Sequence, residues 1–296
     1  MTLRNTLRCG LCLCKAKISL FSSMSAVTGF ILAGGTAWAT GMTLVAGVFF
    51  LACGACALNQ YQEREVDARM ARTSARPLPS GEIRPSRAAG LALALILSGE
   101  GLLLLVGDAV VPLLGIAAVL WYNVFYTGLK KKSTFAAVPG ALIGTIPPAM
   151  GWAAGGGSMA DPALAALAFF FFMWQVPHFW LHLLSYGKDY RAAGLPSLSD
   201  IFIDAQLERL TCQWVAATAV SALLLGLCGL MQSPLAKIFL FVVSLWLVSD
   251  GITLLIRGES SHMKIFRHIN YYMLLVMTLA FLDRLPDAVV RTLSFL

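Results

Sequence analysis

The chain has 296 residues, 58% of them hydrophobic and only 12% charged, with a mean hydropathy of +0.76 and a formal net charge of +7. So much apolar surface cannot be hidden in one water-soluble core, which excludes a soluble globular enzyme and leaves a polytopic membrane protein. The basic residues are divided among short segments between apolar runs, which argues against nucleic acid as a partner and assigns the charge to topology and phosphate handling.

Windows of about 20 residues, the length a helix needs to cross a bilayer, predict nine spans near 18–38, 41–60, 88–107, 110–128, 137–155, 163–184, 210–231, 235–256 and 264–283. The expectation is an all-α protein with one domain over 1–296, of which 1–17 is a short cytoplasmic segment. That segment is basic and cysteine-bearing, and the apolar run after it is long enough to remain as a span, so no cleavable signal is expected. Cys9, Cys12 and Cys14 have no His or Cys cluster elsewhere to complete a zinc site, and read as lipidated or without a role. Cys53 and Cys56 sit in the second span beside Gly54 and Ala55, where small residues serve close helix packing.

The second span runs into NQYQEREVDARMARTSARPLPSG, Asn59 to Gly81. On a helix, Asn59, Glu63 and Asp67 recur every fourth residue and form one ladder of oxygen ligands with steps of about 6 Å. Arg69, Arg72 and Arg76 follow at once, which puts hard-cation ligands beside donors for phosphate oxygens, the combination a magnesium-diphosphate substrate requires. The bland alternative is a solvated helix end with alternating charges.

The sixth span carries the other polar segment, MWQVPHFWLHLLSYGKDYRAAGLPSL. Gln175 and His178 lie inside an aromatic run, where polar groups are costly and therefore informative. Pro177 frees a carbonyl in the preceding turn and is expected to let the helix open there. His178 is open to three uses, binding iron, donating a hydrogen bond or taking a proton, beside the bland one of a satisfied core histidine. His262 and His268 read as interfacial. The two long loops, 61–87 and 185–209, fall on one face of the membrane and are expected to meet. With a cytoplasmic N-terminus, all of the 22 basic residues except Lys237, Arg284 and Arg291 fall on the cytoplasmic side, which supports an odd number of spans and a C-terminus on the opposite side.

These segments resemble the UbiA superfamily of intramembrane prenyltransferases, and within it the haem O synthase branch (the protohaem IX farnesyltransferases). Asn59–Gly81 is similar to the first acidic motif, and PHFW with YGKDYRAAGLPSL to the second. KAKISLFSSMSAVTGFILA, YTGLKKKS, IPPAMGWAAGG and IFRHINYYMLLVMTLAFLD match in order, so the likeness runs from about Lys15 to Asp283.

The resemblance implies a nine-helix bundle around a central cavity, in the cell inner membrane, that transfers the farnesyl group of farnesyl diphosphate to a vinyl group of haem B with uptake of water. It implies Mg²⁺ held by Asn59, Glu63 and Asp67, with Asp189 as a second acidic contact. Arg72, Arg76, Lys130 and Lys188 are implied for the remaining diphosphate oxygens, Tyr122 and Tyr126 for the allylic cation, and His178 for haem. Partners so implied are farnesyl diphosphate, haem B, membrane lipid, and haem A synthase or terminal oxidase assembly. Two departures stand out: Glu63 replaces the more usual Asp, and Ser185 stands where the second motif has another acid. Asp200 and Asp204 form a DxxxD outside the matched position. The rival readings are a UbiA-type reaction on a hydroxybenzoate or quinone precursor, and a secondary transporter. A transporter calls for buried mid-membrane charge, for which only Glu100 and Asp250 qualify.

Overall fold

A computed structural model describes residues 3–257 and 262–293, and these form helices and no strand. The side chains of Arg4 and Arg291, both counted in the topology above, lie outside the described residues. The chain opens with α1 (Leu3–Leu13), which packs against the helix α3 described below, and turns into α2 (Ala16–Leu32). The turn is made by Lys15, which adopts left-handed backbone geometry (φ 43°, ψ 52°), a conformation that disfavours side chains other than glycine's. It is held there because Gln60 Nε2 donates to the carbonyls of Cys12 and Leu13, both at 2.9 Å.

The next helix, α3 (Trp38–Asp67), has 30 residues and so measures about 45 Å, against a hydrocarbon core of about 30 Å. It stays helical to Asp67, so its last turns carry the ladder. Then follow α4 (Pro85–Leu104), with Pro85 in its first turn, and α5 (Val110–Val119). α5 continues through a π-helical stretch, Leu120–Tyr126, into α6 (Thr127–Leu129) as one apolar span. The fifth expected span is broken into α7 (Ala137–Gly140), a 3₁₀ turn (Ala141–Thr145) and α8 (Ile146–Ala154). Pro139, Pro147 and Pro148 explain the break, since each lacks the amide a continuous helix would use. The chain ends with α9 (Pro162–Ala192), α10 (Asp204–Leu227), α11 (Pro234–Arg257) and α12 (His262–Leu293).

Among the described residues, seven helices are long and apolar enough to cross a membrane. The other two expected spans are α2, at 17 residues, and the broken 137–154 segment, so a count of nine rests on those two. They pack against each other with backbones in contact: a Cβ on Gly29 would strike the Pro148 carbonyl, and one on Gly151 the Ala26 carbonyl. One apolar core joins α2, α3, α4, α5 and α8 around Leu44, Val48, Leu103 and Met150. A second joins α9 to α12 around Phe170, Phe171, Val215 and Tyr272. Phe21 of α2 stacks on Trp174 of α9 at 5.7 Å and links the two.

One local expectation is corrected. The helix does not open at Pro177: the carbonyl that proline frees, Met173 O, accepts a bond from Thr218 Oγ1 of α10 at 2.8 Å, so α9 stays closed there. The non-helical residue is Tyr186 (φ −126°, ψ 22°), just before Gly187. His262 and His268, expected to be interfacial, each meet a carboxylate: His262 Nε2 lies 3.1 Å from Glu208 Oε1 and His268 Nδ1 lies 2.6 Å from Asp250 Oδ2.

Candidate functional site

Because α3 remains helical to Asp67, Asn59, Glu63 and Asp67 share one face, and they are buried to 2%, 6% and 2% exposure. Each rung of the ladder holds one cation. Lys15 Nζ donates to Asn59 Oδ1 at 3.3 Å, Lys130 Nζ pairs with Glu63 Oε1, and Arg76 Nη1 pairs with Asp67 Oδ2 at 2.8 Å. Such pairing is what allows two carboxylates to be buried seven-eighths or more of the way. Asn59 Nδ2 donates to Thr127 Oγ1 at 3.1 Å, which ties the first rung to α6. At the other end Thr73 Oγ1 donates to the Asp67 carbonyl at 2.8 Å and closes the last turn.

Lys130 sits just past α6, with its ammonium 5.7 Å from the Tyr126 ring centre. Burial pushes this ammonium below the ordinary lysine range, opposed by Glu63 and Asp67 and reinforced by Lys15. The π-helical stretch directs an aromatic stack toward the same place. Tyr122 and Tyr126 lie 6.0 Å apart and 14° from parallel, and Tyr126 stacks on Phe179 of α9 at 5.7 Å and 10°. Asn123, buried in the same stretch, donates to the Ala55 carbonyl of α3 at 2.9 Å and keeps the two helices in register.

The two polar loops meet, as expected. The Arg72 backbone N–H donates to Asp189 Oδ2 at 3.3 Å, the Arg72 guanidinium lies 5.0 Å over the Tyr186 ring, and Met70 packs with Ala193 and Leu195. The kink at Tyr186 is what presents that ring to Arg72. From there a line of rings, Tyr186, His182 and Phe266, leads to His178, which lies beside Phe179. The contacts thus run from the ladder through Lys130, Tyr126, Phe179 and His178 and back through Tyr186 and Arg72 to the first loop.

The remaining expected residues are placed differently. Arg69 and Lys188 are exposed. Asp189 lies on α9, past its break at Tyr186, and, among the described residues, no three Asp, Glu, His or Cys side chains converge as a metal-holding group; the third oxygen of the ladder belongs to an amide. Ser185 Oγ bonds back to the Leu181 carbonyl at 2.8 Å, and Asp200 accepts from the Ser197 N–H at 2.8 Å as part of its own turn. Lys15, Thr127 and Asn270, the last within 2.9 Å of His178, are site residues that the sequence reading did not single out for the site. Lys15 alone carried a signal, a lysine opening a span matched to the superfamily.

The model of the UbiA prenyltransferase family matches residues 22–276, which take in both polar loops, the π-helical stretch and the His178 surroundings. The chain belongs to the UbiA prenyltransferase family. Among its UbiA relatives, Protoheme IX farnesyltransferase of Geobacter sulfurreducens is 41% identical over 227 residues, covering 76% of this chain and 83% of that one. The protein of the same name from Oleidesulfovibrio alaskensis is 34% identical over 287 residues, covering 97% of this chain and 100% of that one. The fold is also that of a UbiA homolog from Archaeoglobus fulgidus solved bound to GPP and Mg²⁺, with a TM-score of 0.66, 15% identity, and coverage of 93% of this chain and 99% of that one. Family membership rules out the transporter reading and makes the ladder and its cations part of a prenyltransferase.

Proposed function

We propose that this protein is a haem O synthase, a Mg²⁺-dependent enzyme of the cell inner membrane acting as one domain with its N-terminus cytoplasmic. In the reaction, the bond from farnesyl C1 to diphosphate oxygen breaks with its electron pair leaving on diphosphate. The terminal vinyl carbon of haem B bonds to C1, and water adds to the inner vinyl carbon and loses a proton. The observation that carries the reading is the end-to-end likeness to relatives named Protoheme IX farnesyltransferase. Products of this kind feed terminal oxidase assembly or a haem A synthase.

The donor set fits magnesium. Asn59, Glu63 and Asp67 offer only oxygen ligands, on one buried helix face, and two of them are anionic. Those three, with Asp189 from the end of α9, would hold Mg²⁺, which supplies countercharge to the diphosphate as it leaves. Arg72, Arg76, Lys130 and Lys188 bind its other oxygens, and Lys15 joins them through its place on the first rung. The faces of Tyr122 and Tyr126 stabilise the allylic cation, and the apolar rings around them keep water from quenching it early. His178 contacts haem.

Incubating the purified protein with haem B, farnesyl diphosphate and Mg²⁺ should yield farnesylated, hydrated haem by mass spectrometry, and chelating the metal should abolish it. Prenylation of a hydroxybenzoate with no haem product would overturn the proposal.

A further inference from the structure

Asn270, on α12, has its amide set between two partners. Its Nδ2 donates to the Phe266 carbonyl at 2.5 Å, and its Oδ1 lies 2.9 Å from His178 Nδ1. The orientation cannot be reversed, because a carbonyl only accepts and a flipped amide would set oxygen against oxygen. Since Asn270 Oδ1 also only accepts, the proton between it and His178 belongs to Nδ1. In the uncharged ring the lone pair is then on Nε2, while the hydrogen bond that His178 makes among the described residues is the one at Nδ1. Rings of Trp174 at 4.9 Å, Phe266 at 5.0 Å and Phe179 at 5.8 Å pack the imidazole and hold its plane. His178 is half-buried and its Nε2 is not among the sealed polar atoms of the described residues, so that nitrogen is open to a ligand, and a metalloporphyrin brings both a flat apolar face for the rings and an electron-pair acceptor for the nitrogen.

We propose that Asn270 is a positioning residue that holds His178 in the Nδ1–H form so that Nε2 ligates the haem iron. This rests on haem being the substrate. Nothing in the ladder depends on it, so the two can fail separately.

The test uses the full chain in lipid nanodiscs, loaded with ferrous haem B and read by resonance Raman and absorption spectra. The wild type should show an iron–histidine stretching band. His178→Ala should lose that band, and added imidazole should restore it. Asn270→Asp, with its second oxygen turned off the Phe266 carbonyl and the first kept on His178, should raise its frequency, because a carboxylate draws the Nδ1 proton more strongly. Asn270→Ala should lower it and weaken haem binding about tenfold, leaving farnesyl diphosphate binding unchanged. A band that survives in His178→Ala, or that keeps its wild-type frequency in both Asn270 variants, overturns the inference. Farnesylated haem formed by a wild type that shows no such band overturns the inference alone, whereas failure of the wild type to bind or convert haem overturns the substrate reading with it.

Discussion

At the scale of single residues, the organising fact is that Lys15, Lys130 and Arg76 each occupy one rung of the Asn59, Glu63, Asp67 ladder. The carboxylates stay buried because the cations neutralise them, and the cations stay close because the carboxylates hold them. In the proposed reaction the same charges face a metal and a diphosphate. Asp67→Asn keeps the shape but removes one charge, and turnover should fall by about 10²–10³-fold while membrane insertion is retained; wild-type turnover in that variant would remove Asp67 from the metal site. Lys15→Met keeps the apolar stem without the ammonium. It should lower kcat/KM for farnesyl diphosphate by roughly tenfold, the worth of one charged hydrogen bond, with haem affinity unchanged, as binding titrations of each substrate would report.

At the scale of elements, function depends on where helices overrun, break or bend. α3 stays helical for 30 residues and delivers the ladder, the π-helical stretch delivers Tyr122 and Tyr126, and the break at Tyr186 brings α9 to Arg72. Pro177 causes no break because Thr218 takes the carbonyl it releases. Thr218→Val should therefore cost about 1 kcal/mol, seen as a lower thermal midpoint in detergent. α2 and α8 depend on bare backbone contact, so Gly151→Val should cost roughly 1–3 kcal/mol or more by overpacking. Gly90→Ala, at an exposed helical position with open space around it, should be neutral or stabilising in the same assay.

At the scale of the whole molecule, the number of crossings turns on α2 and on 137–154. Exposed Cys12 and Cys228, with a cysteine introduced by Lys131→Cys in the exposed loop after α6, give three reporters in single-cysteine variants. If both segments cross, a membrane-impermeant thiol reagent applied to intact cells should label Cys228 but neither of the other two. Labelling of the 131 position from outside would show that α2 does not cross. Protection of Cys228 together with protection of the 131 position would show that the 137–154 segment does not.

What the sequence determined by itself is whatever depends on near neighbours. Membrane residence follows from composition, and the ladder from a four-residue period that any helix turns into a face. The meeting of the two loops follows from the side of the membrane on which each emerges. Family resemblance then supplied the chemistry. Tertiary structure alone decided which cation meets which rung, that Lys15 and Thr127 both bond to Asn59, and that Met173 finds Thr218. It also decided that Asn270 faces His178, across 92 residues of chain. These partners are brought together by helix packing, and a pairing made by packing leaves no period or spacing in the chain that makes it.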